Sequence, residues 1–125
     1  MSTVRILIID ICPTDREWLR ALAVQGTGCS DMIDTASSFE TAVSAASRTP
    51  YDLVVLADDL GTGTNAFISV VTLRAAGCMG RILVTGSEVK PQRRHELSRI
   101  GVHEYHAKSN LTPGHLLRAL HPLAA

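Results

Sequence analysis

The sequence predicts an α/β fold of the doubly wound class, in which helices cover both faces of a five-stranded parallel sheet. Short aliphatic runs such as Leu53-Val54-Val55-Leu56 lack polar alternation, which is typical of strands buried on both faces. Helical segments of about 10 to 15 residues separate these runs, which favours parallel strands joined by right-handed crossovers. We expect one domain over residues 1–125, because this length suffices for a core without disulfides.

Composition and charge narrow the class of protein. The chain is 46% hydrophobic and 19% charged, which indicates a globular domain. Twelve basic and twelve acidic residues cancel, so no overall field favours nucleic acid or an anionic membrane. The widely spaced Cys12, Cys29 and Cys78 indicate free thiols in a reducing compartment. No apolar run approaches about 20 residues, and strand-like sequence begins at Val4, so we expect a cytoplasmic protein without a membrane span.

The first βα unit begins with a strand over residues 4–9. Pro13 and Thr14 mark the start of a helix, since proline is tolerated in the first turn. An apolar stripe at helical spacing predicts the buried face of this helix, and Gly26 and Gly28 predict its end. The stripe consists of Trp18, Leu19, Leu22 and Ala23, with Trp18 and Leu22 expected in the core.

Four further βα units follow. A strand over residues 32–36 precedes Ser37, which has capping-box spacing to Glu40 and predicts a helix that ends before Pro50. The central strand ends at Ala57. The remaining predicted elements are a helix over 65–76, a strand over 81–85, a helix over 90–100, a strand over 103–106, and a last helix that Thr112 caps and Pro113 begins.

Five stretches carry a resemblance to a known family. They are Ile6-Leu7-Ile8-Ile9-Asp10 with Pro13, Tyr51-Asp52-Leu53-Val54-Val55-Leu56, Leu83-Val84-Thr85-Gly86, Gly101 to Tyr105 with Lys108, and Leu111 to Leu120. In this order and spacing the chain resembles, over nearly its whole length, the receiver domain of two-component response regulators. The resemblance implies a flavodoxin-like (βα)5 fold with strand order 2-1-3-4-5 and a role in phosphorelay signal transduction. The last stretch is similar to receivers fused to sensor kinases or cyclic-nucleotide enzymes, which implies a fused output domain.

The chain departs from this family at the positions that carry its chemistry. By resemblance, acids follow strand 1, an acceptor Asp ends strand 3, a Thr ends strand 4 and a Lys follows strand 5. Here the corresponding residues are Asp10 and Ile11, then Ala57, Thr85 and Lys108. Ala57 supplies no oxygen nucleophile for phosphoryl transfer, and Ile11 supplies no carboxylate for Mg²⁺. We therefore predict a pseudo-receiver that is not an enzyme, needs no cofactor and has lost most or all Mg²⁺ binding.

The remaining charges at the strand ends support two hypotheses. Asp10 and Lys108 should form a direct or water-bridged pair that holds the site in one state; the alternative is two solvated charges that contribute about 0–1 kcal/mol. Asp58 and Asp59 are expected to be solvated loop acids, with Asp59 and Asp10 as weak candidate metal ligands. The alternative is a receiver that still accepts a phosphoryl group through Asp58 or Asp59.

The fourth predicted helix carries a basic face. This face consists of Lys90, Arg93, Arg94 and Arg99, which lie on or beside the helix. It indicates one of two things: a solvated surface, or a surface that binds an acidic protein partner or a second copy of the chain. By resemblance, Thr85 and Tyr105 form the family's switch, and Tyr105 belongs to the partner surface. Because no phosphate acts on Thr85, we expect Tyr105 to keep one rotamer.

Two other motifs are weaker. The loop Gly61-Thr62-Gly63-Thr64-Asn65-Ala66 fits a dinucleotide-binding pattern, which leaves a flavodoxin-like small-ligand binder as an alternative, although Asp58 and Asp59 would repel a pyrophosphate. His103, Glu104 and His106 lie close in sequence, but neighbours on a strand face opposite sides, which disfavours a metal site. The other histidines, His95, His115 and His121, are expected at the surface of helices.

Overall fold

The computed structural model describes residues 4–28, 32–61 and 65–120. Predictions that concern Cys29, the loop residues Thr62, Gly63 and Thr64, and His121 fall outside these ranges.

Five parallel strands form one sheet in the order β2-β1-β3-β4-β5, which confirms the predicted doubly wound fold. The branched aliphatic residues alternate between two cores on opposite faces of this sheet: Leu7 and Ile9 face one, and Ile6 and Ile8 face the other. The strands are β1 (Ile6–Ile9), β2 (Ile33–Ala36), β3 (Leu53–Ala57), β4 (Arg81–Gly86) and β5 (Glu104–Ala107).

Helices cover both faces because each strand is joined to the next by a crossover. The helices are α1 (Pro13–Thr27), α2 (Phe39–Arg48), α3 (Ala66–Ala75), α4 (Pro91–Ser98) and α5 (Pro113–Leu120), and a 3₁₀ turn (Lys108–Asn110) follows β5. Leu19 of α1 and Leu116 of α5 pack in one core. Ala42 of α2, Val70 of α3 and Leu97 of α4 pack in the other. No helix in the described ranges is long and apolar enough to cross a membrane.

Several local predictions were wrong. Ser38, not Ser37, caps α2: its backbone is extended (φ −145°) and its side chain accepts a hydrogen bond from the Thr41 amide. Gly26 lies inside α1, which ends at Gly28 in the left-handed region (φ 73°). Trp18 is 38% exposed and not in the core. It lies about 100° around the helix from Leu19, at the edge of the buried stripe.

Candidate functional site

The register of the strands brings the predicted site residues together at the end of the sheet where the parallel strands terminate. Ile9 pairs with Leu56, and Ala57 pairs with Thr85, so the carboxyl ends of β1, β3 and β4 lie side by side. In parallel sheets this edge is where ligands bind. A cavity of about 720 Å³ opens there. Its lining includes the whole predicted set: Asp10, Ile11, Ala57, Asp59, Thr85 and Lys108.

An ion-pair cluster occupies the floor of the cavity. The Lys108 ammonium lies 2.7 Å from Asp10 Oδ2 and 2.7 Å from Asp15 Oδ2. The predicted direct contact between Asp10 and Lys108 is therefore present. Asp15 is a partner that was not predicted from the sequence: α1 begins three residues after Asp10 and carries Asp15 back over the strand end.

Both oxygens of Asp10 have hydrogen-bond partners. Asp10 is only 1% exposed, and its Oδ1 accepts the amide of Cys12 at 2.9 Å. Burial lowers the pKa of Lys108, but its hydrogen bonds to Asp10 and Asp15 outweigh that effect and raise the pKa above the ordinary lysine value. Lys108 is therefore a permanent cation at physiological pH.

These contacts leave little capacity for Mg²⁺, which the family resemblance implies. Mg²⁺ needs oxygen ligands in octahedral geometry. Ala57 and Ile11 offer no side-chain oxygen, and the side chain of Ile11 is exposed. Asp10 already holds Lys108, and Asp59 Oδ1 accepts the amide of Gly61 at 2.9 Å. The residues present do not fit the magnesium site of the family.

Asp58 is not the solvated loop acid that the sequence predicted. Its Oδ1 accepts from Arg93 Nη2 at 3.0 Å and from the Ala66 amide at 3.1 Å, and its Oδ2 accepts from the Tyr105 hydroxyl at 2.9 Å. Burial raises the pKa of Asp58, but these three hydrogen bonds outweigh it and lower the pKa below the ordinary value. Asp59 is exposed, as expected of a loop acid.

Thr85 is the unpaired member of the site. Its residue is fully buried, and its Oγ1 has no hydrogen-bond partner in the described part of the chain. Burying a hydroxyl without a hydrogen-bond partner lowers the free energy of unfolding, so Thr85 destabilises the fold at this position beside the cavity. Thr85 holds none of the neighbouring site residues through its side chain.

The predicted partner surface divides into two groups. Lys90, Arg94 and Arg99 are exposed on or beside α4. Arg93 instead turns towards Asp58, and Tyr105 is 5% exposed with its hydroxyl in the same cluster. Burial and Asp58 raise the pKa of Tyr105 to about 12. The first group is exposed to a partner, although Arg94 also donates to the Tyr105 carbonyl at 3.1 Å and Lys90 lies 3.6 Å from Glu88.

A second polar cluster lies where β5 meets α5. His106 Nε2 and Glu104 Oε1 lie 2.6 Å apart, and the His106 and His115 rings stack at 4.1 Å. His115 lies on α5 and is half-buried, and its Nδ1 accepts the Thr112 amide at 3.1 Å. Thr112 Oγ1 in turn accepts the His115 amide, as the predicted cap of α5. Only the packing of α5 on β5 brings these histidines together.

We expect the free energy of unfolding to decrease as pH falls from about 7.5 to about 5.5. Burial, with nearby cations, lowers the pKa of His103 and of His115 below the ordinary value of about 6.5. The folded state therefore favours the neutral rings. The unfolded chain therefore binds protons more readily than the folded one. The contribution of these two rings to the free energy of unfolding is complete above their unfolded pKa and is lost as the pH falls towards their folded pKa.

Urea denaturation at the two pH values measures this effect. Replacing His115 with glutamine should make the unfolding free energy less dependent on pH, because it removes one titrating ring. Equal stability at both pH values would contradict the expectation.

The strand order and the alternation of strands and helices define the fold of the chain as that of response-regulator receiver domains. It is similar to a two-component response regulator from Clostridium difficile, with 22% identity and a TM-score of 0.80 over 97% of this chain and 98% of that one. It is also similar to the chemotaxis protein CheY4 of Vibrio cholerae, with 19% identity and a TM-score of 0.79 over 98% and 99% of the two chains.

A third similar structure is the N-terminal domain of a response regulator/sensory box/GGDEF 3-domain protein from Carboxydothermus hydrogenoformans. It shares 16% identity at a TM-score of 0.74 over 93% of this chain and 90% of that one. No family model and no curated protein sequence matches the chain. At these identities the comparisons describe the fold.

Proposed function

We propose that this chain is a phosphorelay-type signalling module that acts by protein–protein interaction and does not depend on phosphorylation. The observation that carries the proposal is the strand-end cluster. A methyl group occupies position 57, and the neighbouring Lys108 is bound by Asp10 and Asp15. The site therefore lacks a phosphoryl acceptor, and the positive charge of Lys108 is already balanced by two carboxylates.

The same residues argue against catalysis by this site. Acceptance of a phosphoryl group needs an oxygen nucleophile, charge neutralisation by a cation, and donors for the phosphoryl oxygens. Lys108 and Thr85 remain as donors, but the nucleophile is absent and the residues do not fit Mg²⁺. We propose that the domain has no enzymatic activity of its own.

The exposed basic side chains beside α4 support an acidic protein surface as the partner. Lys90, Arg94 and Arg99 are all exposed, and residues 88–99 carry four basic and two acidic side chains, so this segment is positive although the chain as a whole is neutral. A domain fused to the same chain is one source of such a surface, and a second copy is another; the similar domain from Carboxydothermus is the N-terminal part of a 3-domain protein. We propose a cytoplasmic location.

Intact-mass spectrometry tests independence from phosphorylation. We expect no added phosphoryl mass after incubation with acetyl phosphate and Mg²⁺, because position 57 has no carboxylate. Amide NMR spectra should also remain unchanged on adding Mg²⁺ with beryllofluoride. A receiver domain with an intact acceptor, treated in parallel, verifies the reagents.

Two outcomes would replace the proposal by another function. A single phosphoryl adduct that disappears in Asp58→Asn or Asp59→Asn would identify a displaced acceptor. Our expectation is the opposite for Asp58, since both its oxygens accept hydrogen bonds. A nucleotide or flavin absorbance band in the purified protein would identify a small-ligand binder.

A further inference from the structure

The Asp58 carboxylate connects segments that are distant in sequence. Asp58 directly follows β3, and it binds the first amide of α3 at Ala66, the guanidinium of Arg93 on α4 and the hydroxyl of Tyr105 on β5. We call Asp58, Arg93 and Tyr105 the Asp58 cluster. Each contact is between 2.9 and 3.1 Å and one partner is charged, which makes such hydrogen bonds stronger than neutral ones.

The buried orientation of Tyr105 depends on space as well as on this anion. Gly86 lies against the ring: a Cβ at position 86 would be 3.0 Å from the Tyr105 hydroxyl oxygen. The hydroxyl also lies 3.4 Å from the Glu88 carbonyl, a longer and weaker contact than the one to Asp58. Asp58 is therefore the principal acceptor for Tyr105.

Arg93 fixes Asp58 in turn. Arg93 Nη2 is 3.0 Å from Asp58 Oδ1, and the two side chains are 25% and 24% exposed, so water screens the pair only in part. A second arginine, Arg94, donates to the Tyr105 carbonyl at 3.1 Å. Arg94 thus binds the backbone of Tyr105 directly, and the preceding residue Arg93 binds the carboxylate that accepts from the Tyr105 hydroxyl.

We propose that Asp58 and Arg93 are positioning residues that hold Tyr105 buried without any phosphoryl group, so that the α4–β5 face has a single conformation. This inference rests on the proposed function, because it explains how a module without an acceptor keeps one form of its interaction surface. The required negative charge belongs to the chain itself, one residue beyond Ala57.

The experiment observes the two tyrosine rings of the intact chain by aromatic NMR and follows their titration. Tyr51→Phe assigns the signals, since Tyr51 and Tyr105 are the only tyrosines. We expect Asp58→Asn to lower the titration midpoint of Tyr105 by roughly one pH unit, because the neutral amide no longer opposes phenolate formation. A second set of Tyr105 ring signals should appear as the ring leaves its buried position.

The chain offers a matched control. The Tyr51 hydroxyl donates to Asp34 Oδ2 at 2.6 Å on β2, at the opposite edge of the sheet from β5. Asp34→Asn should lower the titration midpoint of Tyr51 and leave Tyr105 unchanged. Arg93→Gln should produce the second set of Tyr105 signals, and Arg93→Lys should restore the single set.

Unchanged Tyr105 signals in both Asp58→Asn and Arg93→Gln would overturn the inference. The measurement uses no phosphate donor, so its result is separate from the mass experiment on the proposed function. A phosphoryl adduct on the wild-type chain would remove the proposed function, whereas the NMR spectra alone decide whether Asp58 and Arg93 position Tyr105.

Discussion

Replacing Lys108 with methionine should lower the free energy of unfolding by about 3 kcal/mol, at the low end of the range for breaking a buried ion pair. Methionine keeps much of the aliphatic length but leaves Asp10, which is 1% exposed, without a cation. A buried carboxylate without a partner is strongly destabilising. Lys108 itself is 26% exposed, and for this reason we expect the smaller value.

Two variants separate this effect from a general loss of packing. Asp15→Asn should cost only about 0–1 kcal/mol, because the Asp15 side chain is 38% exposed and water can replace its contact. Combining Asp10→Asn with Lys108→Met should recover most of the loss, since both charges are then absent. Urea denaturation measures all three. A loss below about 1 kcal/mol for Lys108→Met would mean that solvent already screens the cluster.

Replacing Thr85 with valine should raise the free energy of unfolding by about 1 kcal/mol. Valine has the shape of threonine, and it removes the buried Oγ1 that has no partner within the described ranges. The folded state then no longer carries the desolvation penalty of that hydroxyl. The sign of this prediction is unusual, because most substitutions at buried positions destabilise.

Thermal and urea unfolding of Thr85→Val check the prediction, with Thr85→Ser as the control that keeps the hydroxyl and should show no gain. Ser69 on α3 is an independent comparison, because its Oγ is also buried and has no hydrogen-bond partner among the described residues. Ser69→Ala should be stabilising for the same reason. A loss of stability in Thr85→Val would indicate that water satisfies the hydroxyl.

Much of the fold follows from local sequence patterns. Uninterrupted aliphatic runs alternate with amphipathic segments, and parallel pairing of such runs sets the carboxyl ends of β1, β3 and β4 at one edge. The patterns place the ends of these strands on the same side of the sheet, and the strand order that the receiver resemblance implies makes Asp10, Ala57 and Thr85 neighbours there. Lys108 follows the last strand and reaches the same edge. The absence of an acceptor at position 57 is likewise a property of the sequence.

Local details were harder to predict where two neighbouring residues had similar propensities. Ser37 and Ser38 are both good caps, and only the backbone angles at Ser38 select it. Trp18 and Leu19 are both apolar, but the direction in which α1 packs decides which one is buried. Such choices depend on the orientation of a helix against the sheet, which no short window of sequence contains.

The sequence by itself determined the order of the elements, the edge at which the site lies and the loss of its nucleophile. Only the tertiary structure decided which polar side chains meet: Asp15 with Lys108, Arg93 with Asp58, and the His115 ring with the His106 ring. The reason is physical. Strand register follows from hydrophobic periodicity, whereas contacts between charged side chains depend on the position of helices and loops, which the packing of both cores sets together.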